Sequence, residues 1–362
     1  MNIYLDHAAT TPPDPTVIDA VSECMRSLTA NPSAAYSTAN PCRAKMIAVK
    51  KQIAKFLGVT PQEIFFTSGG TESNSQAIFQ AAGKHIVIGA AEHRSIFAAG
   101  ANFSCEVSIA RPDRNGIISP EAVLRAIRPD TALVSVQYMN NETGVINPVG
   151  EIADALKSRK IPFHTDAVAA FGHIPINMTN ITMLSASAHK FYGPRGIGFI
   201  YIKQGFPTKP LIAGEQEGNR RGGTENLPGI CGMGAAIDLL PEDMNIEITR
   251  LGSLRDEFLG CLTGSGISET VSNANIYPGI ISLRLPGFPS EKAISLLDAK
   301  GIYVSGGAAC SSSSHSPSHV LISMGMSPTE AFEVIRVSMG RETTEMKTAA
   351  EAIKEIYGKT TL

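Results

Sequence analysis

Lys190 ends the run Ser185-Ala-Ser-Ala-His189-Lys190, and the glycine-rich turn Gly193-Pro-Arg-Gly196-Ile-Gly198 comes just after it. Desolvation at such a strand end lowers an ammonium pKa and yields an amine able to form Schiff bases. The same position also suits a lysine whose stem lies on apolar surface while its charge reaches water. Asp166, in His164-Thr165-Asp166-Ala167, closes an earlier strand pattern. A carboxylate there either keeps a cofactor ring nitrogen protonated or caps a helix. Ser68-Gly69-Gly70-Thr71 joins a strand to a helix. Its paired glycines let backbone approach an anion, and N–H groups at a helix start attract phosphate. A plain helix start capped by Ser68 or Thr71 is the alternative. His93, in Glu92-His93-Arg94-Ser95, either stacks on a flat cofactor and shuttles protons or is a hydrogen-bonded structural imidazole. Asn141, in Asn140-Asn-Glu-Thr-Gly144, binds a cofactor oxygen or sits in a simple turn.

Two further residues lie late in the chain. Cys310 stands in Ser305-Gly-Gly-Ala-Ala-Cys310-Ser-Ser-Ser-Ser-His-Ser-Pro317, where no bulky apolar neighbour covers it. An accessible thiol in such a loop suits nucleophilic chemistry, and an incidental exposed thiol is the alternative. Arg336 sits inside an apolar strand pattern, Val334-Ile-Arg336-Val-Ser338. Its guanidinium needs an anion, either a substrate carboxylate or an internal salt-bridge partner. Cys24, Cys42, Cys105, Cys231 and Cys261 are scattered, with no Cys-x-x-Cys pair. That pattern fits small core residues in a reducing cytoplasm, not a disulfide framework or a metal site.

The elements that must position these groups follow a rhythm. Apolar runs at 64–67, 85–89, 106–109, 132–137, 162–165, 183–187 and 197–202 predict strands. Helical patterns at 72–82, 95–102, 120–127 and 149–159 lie among them. Such alternation predicts an α/β fold with a mostly parallel sheet sandwiched by helices. Ligands in these sheets bind beyond the carboxyl ends of strands, which is where the residues above fall. Residues 204–228 predict a long functional loop, and a helix is expected at 228–240. From about residue 245 a smaller α+β unit is expected: a long helix, strands at 279–285 and 302–305, a helix at 290–299 and a strand at 334–338. The 362 residues fit two domains, with 43% hydrophobic and 18% charged residues. A net charge of −2 gives no electrostatic case for nucleic acid or membrane surfaces. No apolar run nears the roughly 20 residues of a membrane span. The N-terminus lacks a signal-peptide pattern, so the expected place is the cytoplasm.

Taken together, the motifs resemble the cysteine desulfurases, in the class V aminotransferase group of fold-type-I enzymes that use pyridoxal 5′-phosphate (PLP). The resemblance runs from Tyr4-Leu-Asp-His-Ala-Ala-Thr-Thr-Pro12 to Arg336-Val-Ser-Met-Gly-Arg-Glu-Thr-Thr344. Between them lie Asn31-Pro-Ser33, Thr67-Ser-Gly-Gly-Thr-Glu-Ser-Asn74, Asn140-Asn-Glu-Thr-Gly144, Ala188-His-Lys190 and Arg221-Gly-Gly-Thr-Glu-Asn226. The stretch from Cys310 to Pro317-Ser-His319 resembles the branch with a long, mobile cysteine loop. The resemblance implies that Lys190 carries the cofactor, Asp166 pairs with its ring nitrogen, His93 stacks on the ring and Asn141 approaches its phenolic oxygen. It implies that Gly70, Thr71, Ser187 and His189 hold the phosphate. Thr224 would reach the phosphate of a second subunit, so a homodimer is implied. Arg336 and Asn31 would hold the substrate carboxylate, and Cys310 would take sulfur from L-cysteine as a persulfide, leaving L-alanine. No metal is implied. A protein acceptor would receive the sulfur, for iron–sulfur cluster assembly or for tRNA or DNA thiolation.

The implied domains are a large one at 15–244 and a small one from 1–14 plus 245–362, with the cysteine loop at about 305–317. Three positions depart from the family pattern. Ala169 stands where a glutamine is usual, Tyr36 where a histidine is usual, and Glu217-Gly-Asn-Arg-Arg221 differs from the common arginine–glycine pattern. Ala169 keeps two other activities open, an aminotransferase or a lyase for a cysteine derivative or selenocysteine. A non-catalytic sulfur-relay scaffold is a third possibility, which Lys190 and Asp166 argue against.

Overall fold

The computed structural model describes residues 2–272, 275–307 and 316–358. β1 (Ile3–Tyr4) leads into helices α1 (Pro15–Ser27) and α2 (Asn40–Leu57). The alternating region then runs β2 (Ile64–Thr67), α3 (Gly70–Phe79), β3 (His85–Gly89), α4 (Arg94–Asn102), β4 (Glu106–Ala110), α5 (Pro120–Ala126), β5 (Thr131–Ser135), α6 (Val149–Lys157), β6 (Phe163–Asp166), β7 (Met183–Ser187) and β8 (Gly198–Ile202). The predicted strands are all present, with bounds shifted by at most two residues.

These strands form one sheet in the order β2-β8-β7-β6-β5-β3-β4. All pairs from β7 to β4 are parallel, whereas β8 runs antiparallel to both β2 and β7. The core strands β3, β6, β7 and β8 are buried at every residue, as a sheet covered on both faces requires. Phe171 shows how the layers lock. It is fully buried and meets Phe56 of α2, Phe191 and Phe199 of β8 at centroid distances of 4.6, 5.0 and 5.1 Å.

α1 and α2 are absent from the sequence reading. Both begin with a proline in the first turn, and α2 ends on Gly58 in the left-handed conformation. α1 buries only Val17 and Cys24, and lysines are spread through α2, so neither shows as a long apolar run. The 204–228 stretch is a loop apart from one turn, α7 (Gln216–Asn219), in which Glu217 holds a positive φ of 49°. The buried Glu217 carboxylate accepts from Lys50 Nζ (2.7 Å) and from Phe66 N (3.0 Å), which fixes that unusual backbone against β2.

The C-terminal part contains α8 (Leu227–Asp238), α9 (Met244–Leu262), β9 (Ser268–Glu269), β10 (Ile280–Arg284), α10 (Ser290–Asp298), β11 (Ile302–Tyr303), β12 (Ser305–Gly306), α11 (His319–Ser323), α12 (Pro328–Ala331), β13 (Val334–Ser338) and α13 (Lys347–Gly358). The second sheet has the order β12-β13-β10-β9. β1 pairs in parallel with β11, and Asp6 bridges to Ser338, so the first residues join these late elements. Among the described residues, no helix is long and apolar enough to cross a membrane.

Candidate active site

The strand ends of the large sheet deliver the sequence-selected residues to one cavity of about 330 Å³. Lys190 reaches it from a short 3-10 turn directly after β7, and its Nζ donates to the carbonyls of Ala8 (2.6 Å) and Ala9 (2.8 Å). Asp166 reaches it from the last position of β6 and is buried. Its Oδ2 accepts from Asn74 Nδ2 (2.7 Å) and its Oδ1 from Val168 N (2.9 Å). Asn74 Nδ2 also donates to Ser95 Oγ (3.0 Å), which in turn bonds His93 Nδ1 (2.8 Å). One polar chain thus links the end of β6, the first turns of α3 and the start of α4. Asp166 cannot rotate without breaking it.

The start of α3 decides between the two readings of the paired glycines. Neither Ser68 nor Thr71 caps it. Gly69 occupies the cap position with no side-chain hydrogen bond, at a φ of 148° that disfavours a side chain. A Cβ on Gly70 would lie 2.6 Å from Val168 Cγ2. The helix start therefore presents backbone N–H groups, with Thr71, Ser187 and His189 around it. Burial, with Lys190 and Arg195 nearby, lowers the His189 pKa to about 4. The ring is neutral at pH 7 and can donate a hydrogen bond to an anion.

Arg336 reconciles both readings of its position. It is 1% exposed on β13, with Nη2 on Asp6 Oδ1 (2.6 Å) and Nη1 on the carbonyl of Asn141 (3.0 Å). Its Nε has no hydrogen-bond partner among the described residues, and the side chain lines the cavity. Ala169 and Asn141 line the cavity as well. Asn31 and Thr224 do not. Both are exposed, and the Asn31 Oδ1 accepts from Ser33 N (2.9 Å). Cys310 lies outside the described residues.

Several wall residues carry no role in the sequence reading. Asn74 is the clearest, since only the fold shows that it holds Asp166. Glu92 is fully buried, and one oxygen accepts from Gln137 N. Burial, reinforced by Asp166, pushes its pKa well above the ordinary carboxylate value, which favours the protonated form. His319, at the start of α11, bonds the Glu92 carbonyl through Nε2 (2.8 Å) and meets Phe97 edge-on. A carbonyl only accepts, so Nε2 carries the proton. Their place beside quoted motifs, Glu92 before His93 and His319 after Pro317, is the only signal the sequence offers.

The donor set fits PLP: a lysine, a fixed carboxylate opposite it, an imidazole, and an uncapped helix start with hydroxyls around it. The profile of the family described as aminotransferase class-V matches residues 3–348. The chain belongs to the class V aminotransferase family. This family, with its cysteine desulfurases, is PLP-dependent. The chain is 40% identical to the cysteine desulfurase IscS of Dictyoglomus turgidum, over 95% of this chain and 91% of that protein. Among solved structures, a NifS-like protein superposes with a TM-score of 0.92 at 31% identity, covering 99% of this chain and all of the other. SspA in complex with cysteine superposes with a TM-score of 0.84 at 32% identity, covering 93% and 99% of the two chains. The α/β architecture expected from the motifs is that of these class V neighbours. Among the described residues, no group of histidine, cysteine, aspartate and glutamate side chains is arranged to hold a metal.

Proposed function

We propose that the protein carries PLP on Lys190 and acts as a cysteine desulfurase, converting L-cysteine to L-alanine with the sulfur taken up by Cys310. The observation that carries this reading is the convergence of Lys190, Asp166 and Arg336 on one cavity beside the uncapped start of α3. PLP, when bound, supplies an electron sink that weakens bonds at the substrate α-carbon.

This chain's residues do the rest. Gly70, Thr71, Ser187 and His189 bind the phosphate. Asp166, fixed by Asn74 and Val168 N, keeps the ring nitrogen protonated. With PLP bound, Asn141 would bond the ring's phenolic oxygen, and His93 would stack on the ring and help move protons. Arg336 orients the substrate carboxylate, with Asp6 holding the guanidinium in place. The Lys190 amine takes the α-proton. The Cys310 thiolate attacks the substrate sulfur, so an S–S bond forms as the carbon–sulfur bond breaks. Protonation of that carbon completes alanine, and Cys310 keeps the persulfide. An acceptor protein then takes this sulfur. Thr224, exposed and outside the cavity of its own chain, would complete the cavity of a second copy, which supports a homodimer.

The test is a single turnover with L-cysteine. Equal alanine and Cys310-bound sulfur are expected. Lys190→Ala should abolish alanine formation with the fold intact, and Cys310→Ser should form no persulfide. Sulfur on another cysteine, or full activity of either variant, would refute the reading.

A further inference from the structure

Cys310 lies between Gly307 and Ser318 in the chain, and a buried carboxyl lies beside both of these residues. Glu142, 4% exposed, stands in the loop after β5 and lines the cavity. Its Oε2 accepts from Ser318 Oγ at 2.5 Å. A Cβ on Gly307 would stand 3.3 Å from that same oxygen and 3.2 Å from Ser318 Cβ. One carboxylate oxygen therefore bonds Ser318 and lies close to Gly307. The loop that carries Glu142 is itself held, because Asn140 Oδ1 accepts from the backbone N–H groups of Glu142 and Thr143 (2.9 Å each). On the far side of Ser318, His319 bonds the Glu92 carbonyl, so two successive residues are tied to the large sheet's loops.

We propose that Glu142, through Ser318, is a positioning residue that fixes the root of the cysteine segment against the cavity wall and so sets how often the Cys310 thiol meets the substrate sulfur. This rests on the desulfurase reading above. A tethered nucleophile works at an effective concentration set by its anchor points, and displacement of the anchors lowers it. Acting through Ser318, Glu142 is expected to affect the sulfur step and not substrate arrival.

The carboxyl has a further property. Burial raises its pKa to about 7, against the opposing pull of Ser318 on α11, Arg336 on β13, and Arg94 and His93 at the start of α4. The anionic form accepts the Ser318 hydrogen bond at full strength. Above about pH 7 the anchor therefore tightens. The folded protein holds this proton more firmly than the unfolded chain, so Glu142 contributes stability that declines as pH rises from about 4.5 through 7.

The experiment compares PLP-loaded wild type, Glu142→Gln, Glu142→Ala and Ser318→Ala. Stopped-flow absorbance reports substrate arrival at Lys190, and mass spectrometry reports the rate of persulfide formation on Cys310. Glu142→Ala and Ser318→Ala are expected to leave the absorbance step within about twofold and to slow persulfide formation by roughly tenfold or more. The double variant should be no slower than either single one. Glu142→Gln keeps an acceptor for Ser318, so it should retain most of the rate and lose the rise near pH 7. In the cofactor-free protein, the melting temperature of the same variant relative to wild type should rise between pH 4.5 and 7. Equal slowing of both steps, or of neither, would overturn the positioning role. If wild type forms no Cys310 persulfide at all, the desulfurase reading itself has failed and this proposal falls with it.

Discussion

Two helix starts meet the same cavity and are built in opposite ways. α3 begins at Gly69-Gly70 with no side-chain cap. α11 begins at Ser318, whose Oγ accepts from Leu321 N (3.3 Å) and donates to Glu142. The first leaves its N–H groups facing open space lined by Thr71, Ser187 and His189. The second satisfies them internally and spends its cap hydroxyl on a cross-contact to another element. An open helix start next to hydroxyls is built for an anionic ligand, and a closed one tied to a carboxyl is built for anchorage. The neighbouring carboxylates follow the same division. Asp166 is held by two donors at the end of a core strand, whereas Glu142 accepts from Ser318 among the described residues and has a pKa near neutrality.

The contrast can be broken at either end, and the expected effects differ in size. Asp166→Asn should keep the cofactor bound and lose several orders of magnitude in turnover, because the ring nitrogen loses the group that holds its proton. A near-normal rate would remove Asp166 from that role. Gly70→Ala should cost about tenfold or more in PLP affinity, since its Cβ would be forced to within 2.6 Å of Val168 Cγ2 at the helix start. Equilibrium titration of the cofactor-free protein with PLP checks this, and unchanged affinity would deny the open start a ligand. Ser318→Ala should cost about 1 kcal/mol of stability from the lost cap, with PLP affinity unchanged. Chemical denaturation measures it, and a loss of PLP binding would show that the two helix starts are not separate in function.

The smallest effect is a pH dependence that belongs to the large sheet. Burial lowers the pKa of His164 to about 3, and of His7 and His189 to about 4. Each is neutral in the fold and has an ordinary value of about 6.5 when unfolded. Their stability contribution is complete above about pH 6.5 and is lost as pH falls toward 4. The melting temperature should therefore drop across that window, and His164→Asn should make the drop shallower. His164 bonds Ser135 and Ser185 inside the sheet, away from the PLP cavity, so PLP affinity at pH 8 should stay unchanged in that variant.

The sheet was legible because its strands are short, apolar and bounded by glycine and polar residues, and the chemistry sits at their carboxyl ends. Residues 64–67, 85–89 and 183–187 match their predicted bounds. The α1–α2 pair was not legible, because its burial comes from contact with α8 and not from a clean apolar stripe. Lys190, Asp166, His93 and Arg336, singled out by type and position, all line the cavity. Asn74, Glu92, Glu142 and Ser318 were not given roles, since each acts through a partner more than fifteen residues away in the chain.

The amino-acid order alone determined the alternation of strands and helices, the paired glycines at one helix start, and the residue types the family's chemistry requires. These are local or periodic properties, and one stretch of chain suffices to set them. Only the tertiary structure decided that the Asn74 amide holds Asp166, that Arg336 serves an internal carboxylate while facing the cavity, and that Glu142 bonds Ser318 beside Gly307. Those pairings depend on which strand lies beside which in the sheet and on how β1 and α11 return to it. Burial then shifts the charge balance of each group, raising the pKa of Glu92, keeping His189 neutral and holding Glu142 near the point of ionisation.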